Sequence, residues 1–380
     1  MKTAIINGKI ILPDQLVEHK ALVFENGKIT AIQDAAPADA ALIDAKGNWV
    51  APGFVDVHIH GSMGADAMDE NPDSIRIIAE GIAKYGVTSF LPTTMTMSME
   101  EIHRSLGHVR HWMGQAIKGA KVLGAHMEGP FINVKYKGAQ NPEYILKPNF
   151  ADVKKYEDVI RLITFAPEMD EGLAFTKEVK QKTDIALSLG HTDATFDQAM
   201  EAIRCGCSHI THLFNAQTPL HHRDAGVVGA ALMSDVYTEL IADKIHINPH
   251  NFQFVLDNKG TDKVVLITDS MRAGCMKEGH YDLGGQPVIV KDGAARLETG
   301  VLAGSVLTLN LAVKNFYEHT KATISEAIHF ASLNPAASIG EDKRKGSLEI
   351  GKDADIIILS PDFDCLLALS EGREIHNHLN

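Results

Sequence analysis

The sequence predicts an α/β fold, a parallel (β/α)8 barrel of the TIM type joined to a small β-sandwich domain formed by both termini. Three observations lead there. Eight strand-like runs in the middle of the chain alternate with helix-like ones, both ends carry short strands broken by turn signals, and most middle strands end in His, Glu or Asp. A doubly wound open sheet is the competing arrangement, but no GxGxxG dinucleotide fingerprint supports it. At 380 residues, 45% hydrophobic and 22% charged, the chain has an ordinary globular balance.

The elements follow in chain order. Residues 1–50 read as short strands, with Glu25-Asn26-Gly27-Lys28 as a hairpin turn. Residues 345–380 have the same character and are expected to complete the same small domain, leaving 51–344 for the barrel. The stretch WVAPGFVDVHIHG (49–61) alternates, so Val55, Val57 and Ile59 point one way while Asp56, His58 and His60 point the other. Ile75, Ile78, Ala79 and Ile82 then recur at helical spacing behind Asn71-Pro72-Asp73. Further strands are expected at 87–94, 121–129, 161–168, 185–191, 208–214, 238–246 and 263–270. Helices are expected at 98–119, 151–159, 195–206 and 248–260, with a long loop from Phe131 to Asn149. An inserted hairpin is expected near 281–300, and a helix follows it at 305–320.

Composition excludes several roles. A formal net charge of −13 argues against nucleic acid or an anionic membrane as the main partner. No apolar run approaches the length that spans a bilayer, and the N-terminal MKTAIINGKIILPDQ lacks a signal-peptide core. Cys205, Cys207, Cys275 and Cys365 form neither a disulfide framework nor a CxxC zinc site, so a reducing, cytoplasmic setting is expected.

The strand ends carry the chemistry. Strand one ends in His58 and His60, strand three in Glu128, strand five in His191, strand six in His212, strand seven in His246 and strand eight in Asp269. In a (β/α)8 barrel these residues all meet at the C-terminal mouth, where such barrels place their active sites. Histidines scattered through a core would show no such placement. Imidazole and carboxylate without thiolate suit Zn²⁺ or another divalent transition ion in a hydrolytic role. Asp269 can accept and return a proton there, although TDS is also good helix-capping chemistry. Arg223, in the loop 211–226, can make a bidentate contact with phosphate or carboxylate.

At these residues the chain resembles the N-acetylglucosamine-6-phosphate deacetylases of the amidohydrolase superfamily. The likeness rests on PGFVDVHIHG, HMEGPFIN with KGAQNPEY, LGHTDA, THLFNA, TDSM and LAGS, in that order over nearly the whole chain. It implies Glu128, His191 and His212 as the main metal ligands and Asp269 as the catalytic acid/base. It implies Ala139, Asn215, Ala216, Arg223, His246 and the Leu302, Ala303 and Gly304 backbone as the grip on a small sugar phosphate. In the family the arginine can serve a neighbouring subunit, so a homodimer is expected.

Two positions depart from some members. Where those carry Gln-x-Asn and one metal, this chain has both His58 and His60, which permits a second ion bridged by Glu128. Where those carry a carbonyl-polarising histidine, it has Gln140, whose amide can donate a hydrogen bond but cannot become cationic. The implied reaction is hydrolysis of the acetamide of N-acetyl-D-glucosamine 6-phosphate to glucosamine 6-phosphate and acetate, with Zn²⁺ or Fe²⁺, one or two ions per subunit. The alternative is another amidohydrolase acting on a cyclic amide or a nucleobase. Many of those use a carboxylated lysine on strand four, where this chain has Glu168.

Overall fold

The computed structural model describes residues 2–379. Two sheets build the small domain. One runs in the order Lys28–Gln33, Ala21–Glu25, Thr3–Ile6, Ala41–Asp44. The other runs Arg373–Asn377, Cys365–Ser370, Ile356–Leu359, Trp49–Pro52, Lys9–Ile11, Leu16–Val17, so strands from both ends of the chain are hydrogen-bonded neighbours. Ile5, Leu22, Phe24 and Ile29 of the first sheet and Ile10, Val50, Ile356, Ile358 and Leu367 of the second share one buried cluster, which makes the pair a sandwich. The Glu25–Lys28 hairpin is present, with Asn26 and Gly27 both at positive φ (51° and 78°) as a type I′ turn needs.

The chain enters the barrel at Gly53. A Cβ there would lie 2.1 Å from Thr88 Oγ1, so this crossing tolerates only glycine. Eight parallel strands follow: β1 (Phe54–Ile59), β2 (Val87–Pro92), β3 (Ala125–Glu128), β4 (Ile160–Phe165), β5 (Ala186–Leu189), β6 (His209–Ile210), β7 (Tyr237–Ile241) and β8 (Val264–Ile267). Among the described residues ten α-helices surround them: α1 (Ser74–Ala83), α2 (Met99–Met113), α3 (Phe150–Lys154), α4 (Ala174–Lys182), α5 (Phe196–Arg204), α6 (Gly226–Met233), α7 (His250–Lys259), α8 (Leu309–Glu318), α9 (Ile324–His329) and α10 (Leu333–Ser338). Ser98 with Glu101, Thr195 with Gln198 and Thr323 with Glu326 form capping boxes that fix the starts of α2, α5 and α9.

Two seams close the barrel. Between β2 and β3 the Thr94 N–H donates to the His126 carbonyl at 2.9 Å. Between β8 and β1 the Asp269 N–H donates to the His58 carbonyl at 2.9 Å, at the end that carries the polar side chains. At the other end the Phe330 and Ala331 carbonyls accept from Leu266 N and Val55 N at 2.7 and 2.8 Å, so the turn after α9 supplies acceptors that the strands do not give each other.

Beyond β4 and β7 ending early, at Phe165 and Ile241, three elements differ from the sequence reading. The strand expected at 121–129 breaks at Gly124, where a Cβ would meet the Val159 carbonyl at 2.5 Å, so Lys121–Val122 pairs with β2 and β3 pairs with β4. The strand expected at 208–214 shrinks to β6, because His212 and Phe214 take positive φ (28° and 77°) and leave the extended conformation. The single hairpin expected near 281–300 is a three-stranded meander, Gly279–Leu283, Gln286–Lys291 and Ala294–Leu297. Its second turn, Asp292-Gly293 (φ 51° and 74°), is a two-residue hairpin signal that adds the third strand.

A buried ion cluster sits where the small domain meets the barrel. Lys345 Nζ lies 2.6 Å from Asp355 and 3.1 Å from Asp353, and its side chain is fully buried. Asp355 in turn accepts from the Gly53 N–H through its carbonyl at 2.9 Å and from the Glu371 N–H through its carboxylate at 2.7 Å. Removing the ammonium leaves the buried Asp355 without a cation, while Asp353 keeps Lys28 at 2.7 Å and Arg344 at 3.2 Å. Lys345→Met is therefore expected to cost about 3–5 kcal/mol of stability, read as a lower denaturation midpoint; an unchanged midpoint would mean the cluster is solvated.

Candidate active site

The strand ends deliver their side chains to one place because the backbone turns inward there. His191, His212 and Asp269, which follow β5, β6 and β8, all have positive φ (49°, 28° and 47°). Each such non-glycine residue is strained by about 1–3 kcal/mol, and three of them cluster at one mouth. After β3, Gly129 (φ 72°) turns the chain where a Cβ would lie 2.1 Å from Thr96 Oγ1, so the loop leaves sharply and Glu128 stays at the strand end.

Glu128 is the centre. Its Oε1 lies 3.2 Å from both His191 Nε2 and His212 Nε2 and 3.4 Å from His58 Nε2. Its Oε2 lies 3.3 Å from His60 Nε2 and accepts from Gln140 Nε2 at 2.8 Å. Asp269 Oδ1 stands 3.2 Å from His60 Nε2 and 3.6 Å from His58 Nε2. His58, His60, Glu128, His191, His212 and Asp269 are all buried.

Every imidazole is held by its other nitrogen. The Nδ1 of His58 meets Glu239 Oε2 at 2.9 Å, that of His60 the Thr93 carbonyl at 3.2 Å, that of His191 the Tyr136 carbonyl at 2.9 Å and that of His212 the Asn215 carbonyl at 3.1 Å. These partners only accept, so each Nδ1 carries its proton outward and each Nε2 faces Glu128, the orientation that metal-binding histidines adopt. His191 Nε2 and His212 Nε2 lie 3.2 Å apart, too close for two lone pairs without positive charge between them. Burial works against charge on His58 and His60, yet the neighbouring carboxylates hold His58 well above its ordinary range and His60 up to about 10. A field that favours protons on Nε2 equally favours a cation bound there.

The donor atoms of Glu128, His191 and His212 lie within 4.8 Å of one another, as do those of His58, His60 and Glu128. The residues present therefore fit a divalent transition ion in either position, sharing one carboxylate. Among the described residues, a third group (His58, His126 and Glu239) is as compact, but His126 contacts the Val57 carbonyl at 3.1 Å through Nδ1 and Thr164 Oγ1 at 2.7 Å through Nε2. That imidazole has no nitrogen left to give.

A cavity of about 320 Å³ opens over the cluster. Ala139, Gln140, Asn215, Ala216, His246, Leu302 and Gly304 line it together with His60, Glu128, His191, His212 and Asp269. His246 lies in the loop beyond β7, not at the strand end where the sequence reading put it, and its Nδ1 is held by Asp243 at 2.7 Å. Three expected residues are not in the cavity wall, and one of them, His58, is fully buried behind it. Ala303 is buried with its N–H committed to the Ala295 carbonyl, and Arg223 is exposed, its Nη1 against His222 Nε2 at 2.6 Å. Sequence reading also missed Met95, Lys135, Tyr136, Leu283 and Val301 in the wall, and Glu239 behind it. Glu239 alone left a signal, a carboxylate in an otherwise apolar strand, TELIA.

Gln140 has a fixed amide. Its Oε1 accepts from the Thr96 N–H at 2.7 Å, which turns Nε2 onto Glu128. Glu168, expected at the end of strand four, lies beyond β4 in the turn Pro167–Met169, where it ties loops together through Asn133 Nδ2 (2.9 Å), Thr192 Oγ1 (2.5 Å) and the Asp193 N–H (2.6 Å).

The amidohydrolase family model matches residues 49–375. The chain is 37% identical to the N-acetylglucosamine-6-phosphate deacetylase of Bacillus subtilis, over 96% of this chain and 94% of that protein. It is 35% identical to the N-acetylgalactosamine-6-phosphate deacetylase of Escherichia coli O157:H7, over 94% of this chain and 95% of that one. The crystal structure of N-acetylglucosamine-6-phosphate deacetylase from Pasteurella multocida superposes with a TM-score of 0.94 at 33% identity, covering 98% of this chain and 99% of that one.

Facing nitrogens and carboxylates relax when a cation sits among them. Zn²⁺ added to chelator-stripped protein should raise stability by about 2.7 kcal/mol at a free concentration of about 100 times Kd. Calorimetry should find that gain sharply reduced in His191→Ala and in His212→Ala; an equal gain in those variants would place the cation elsewhere.

Proposed function

Because the chain belongs to the amidohydrolase family, we propose that it hydrolyses the acetamide of N-acetyl-D-glucosamine 6-phosphate, giving D-glucosamine 6-phosphate and acetate. The observation that carries this reading is the convergence of four Nδ1-anchored histidines on Glu128, beside Asp269 and under a cavity sized for one sugar phosphate. Glu128, His191 and His212 would hold one divalent ion, Zn²⁺ or Fe²⁺, and His58 and His60 would share Glu128 around a second. When bound, such an ion lowers the pKa of a water toward neutrality and polarises a carbonyl oxygen.

The chain's own residues do the rest. Burial would raise the Asp269 carboxyl, but the His58 and His60 imidazoles beside it hold it below the ordinary carboxylate value, so it is ready to act as a base. Asp269 takes the proton of the attacking water as the water oxygen bonds to the acetyl carbon. It returns that proton to the sugar nitrogen as the carbon–nitrogen bond breaks, and acetate leaves. Its backbone is locked for this task, the N–H by the His58 carbonyl and the carbonyl by the Ser305 N–H at 2.7 Å. Gln140 keeps Glu128 turned between the two histidine pairs and is not free to polarise the substrate while it does so.

Asn215, Ala216 and the Leu302–Gly304 segment would grip the sugar phosphate, with Ala139 packing against it and His246 reaching a hydroxyl. Arg223 is outside this chain's cavity, so the reading assigns it to the cavity of a second copy in a homodimer. Four cysteines without disulfides fit a reducing, cytoplasmic setting.

Release of acetate from N-acetyl-glucosamine 6-phosphate tests the reading, with N-acetylgalactosamine 6-phosphate, a dihydropyrimidine and adenine run beside it. Turnover of the amino-sugar phosphates alone is expected. Asp269→Asn should lose about 10²–10⁴-fold in kcat while keeping its metal; near-normal turnover would remove Asp269 from its role. Arg223→Ala should be weak on its own. Mixed with Asp269→Asn it should recover activity, because a mixed dimer contains one site with both residues intact; no recovery would leave Arg223 without a role across the dimer.

A further inference from the structure

Glu239 lies on β7, points into the barrel and is fully buried beneath the histidine cluster. Nothing in the proposed chemistry uses it. Barrel interiors are filled mainly by branched apolar side chains, and a buried carboxylate is expensive unless its charge is compensated. Its Oε2 meets two groups, His58 Nδ1 at 2.9 Å and the His212 N–H at 3.2 Å. Its Oε1 has no hydrogen-bond partner among the described residues. His58 Nε2, across the same ring, has none either and points at Glu128 Oε1 and Asp269 Oδ1 at 3.4 and 3.6 Å.

Resting on the two-ion reading above, we propose that Glu239 is the positioning residue for the second cation site: it fixes His58 as a ligand and ties that site to the backbone of His212. One carboxylate thus touches a ligand of each half-site from below, as Glu128 touches both from above. The carboxylate fixes the ring tautomer and raises the basicity of Nε2, the effect expected when the far nitrogen of a metal-bound histidine meets a carboxylate. A cation at Nε2 in turn compensates the buried charge through the ring. His60 lacks this device, since its Nδ1 meets only the Thr93 carbonyl. His58 is therefore the ligand on which the second site depends.

The test is cation binding itself, read without turnover. Chelator-stripped wild type, Glu239→Leu and Glu239→Gln are titrated with Zn²⁺ in competition with a chromophoric chelator. Circular dichroism reports that each is folded. Wild type is expected to bind two equivalents. Glu239→Leu should weaken the second about 10–100-fold and the first much less. Glu239→Gln keeps an acceptor for the Nδ1 proton and should fall between them, a graded rescue that a merely space-filling role would not give. Two equivalents at wild-type affinity in folded Glu239→Leu would overturn the proposal, as would equal weakening of both equivalents. A wild type that binds one equivalent would overturn the two-ion reading and this role with it.

Discussion

The structure depends on how one carboxylate is shared. Glu128 faces four imidazole nitrogens and one amide within 3.4 Å, five groups around two carboxylate oxygens. The chain meets this with positions that cannot relax: strained backbone at His191, His212 and Asp269, a glycine exit after Glu128, and an acceptor behind every ring. Strain kept at a site is tolerated only when the surroundings over-determine it. Here the surroundings are the barrel itself, whose closing hydrogen bond joins Asp269 to the strand that carries His58.

That seam links fold and chemistry. The two residues that close the barrel at its polar end are the proposed proton carrier and a proposed ligand, so loosening the closure would move both. Away from the mouth the seam is filled by carbonyls from the turn after α9, and the small domain is pinned to the barrel through Lys345, Asp355 and Gly53. The sandwich thus holds the start of β1 while the histidines occupy its end. The meander lies over the cavity, where Leu283 joins the wall and Gln286 donates to the Ala139 carbonyl.

Much of this was legible in the residues. The strand-end pattern of His58, His60, Glu128, His191, His212 and Asp269 foretells that these side chains meet at one end of the barrel, because strand direction and period are local properties. What was missed is non-local. The break at Gly124 lies against the Val159 carbonyl, just ahead of β4 and thirty-five residues away in sequence, and the two-residue β6 follows from backbone strain that no propensity encodes. Lys135 and Met95 enter the cavity wall only through loop geometry. Gln140 looked free to address the substrate, and the Thr96 N–H, forty-four residues away, decides that it faces Glu128 instead. Glu239 had a visible signal, but its meaning required knowing which ring lay opposite.

A cation held by Glu128 and its histidines would make this chain an amino-sugar phosphate deacetylase. The most direct measurement follows acetate release from N-acetyl-D-glucosamine 6-phosphate by chelator-stripped protein as Zn²⁺ or Fe²⁺ is titrated back. Activity absent in the stripped protein and restored in proportion to bound metal is the predicted result. Full turnover without metal, or none at saturating metal in folded protein, would contradict it.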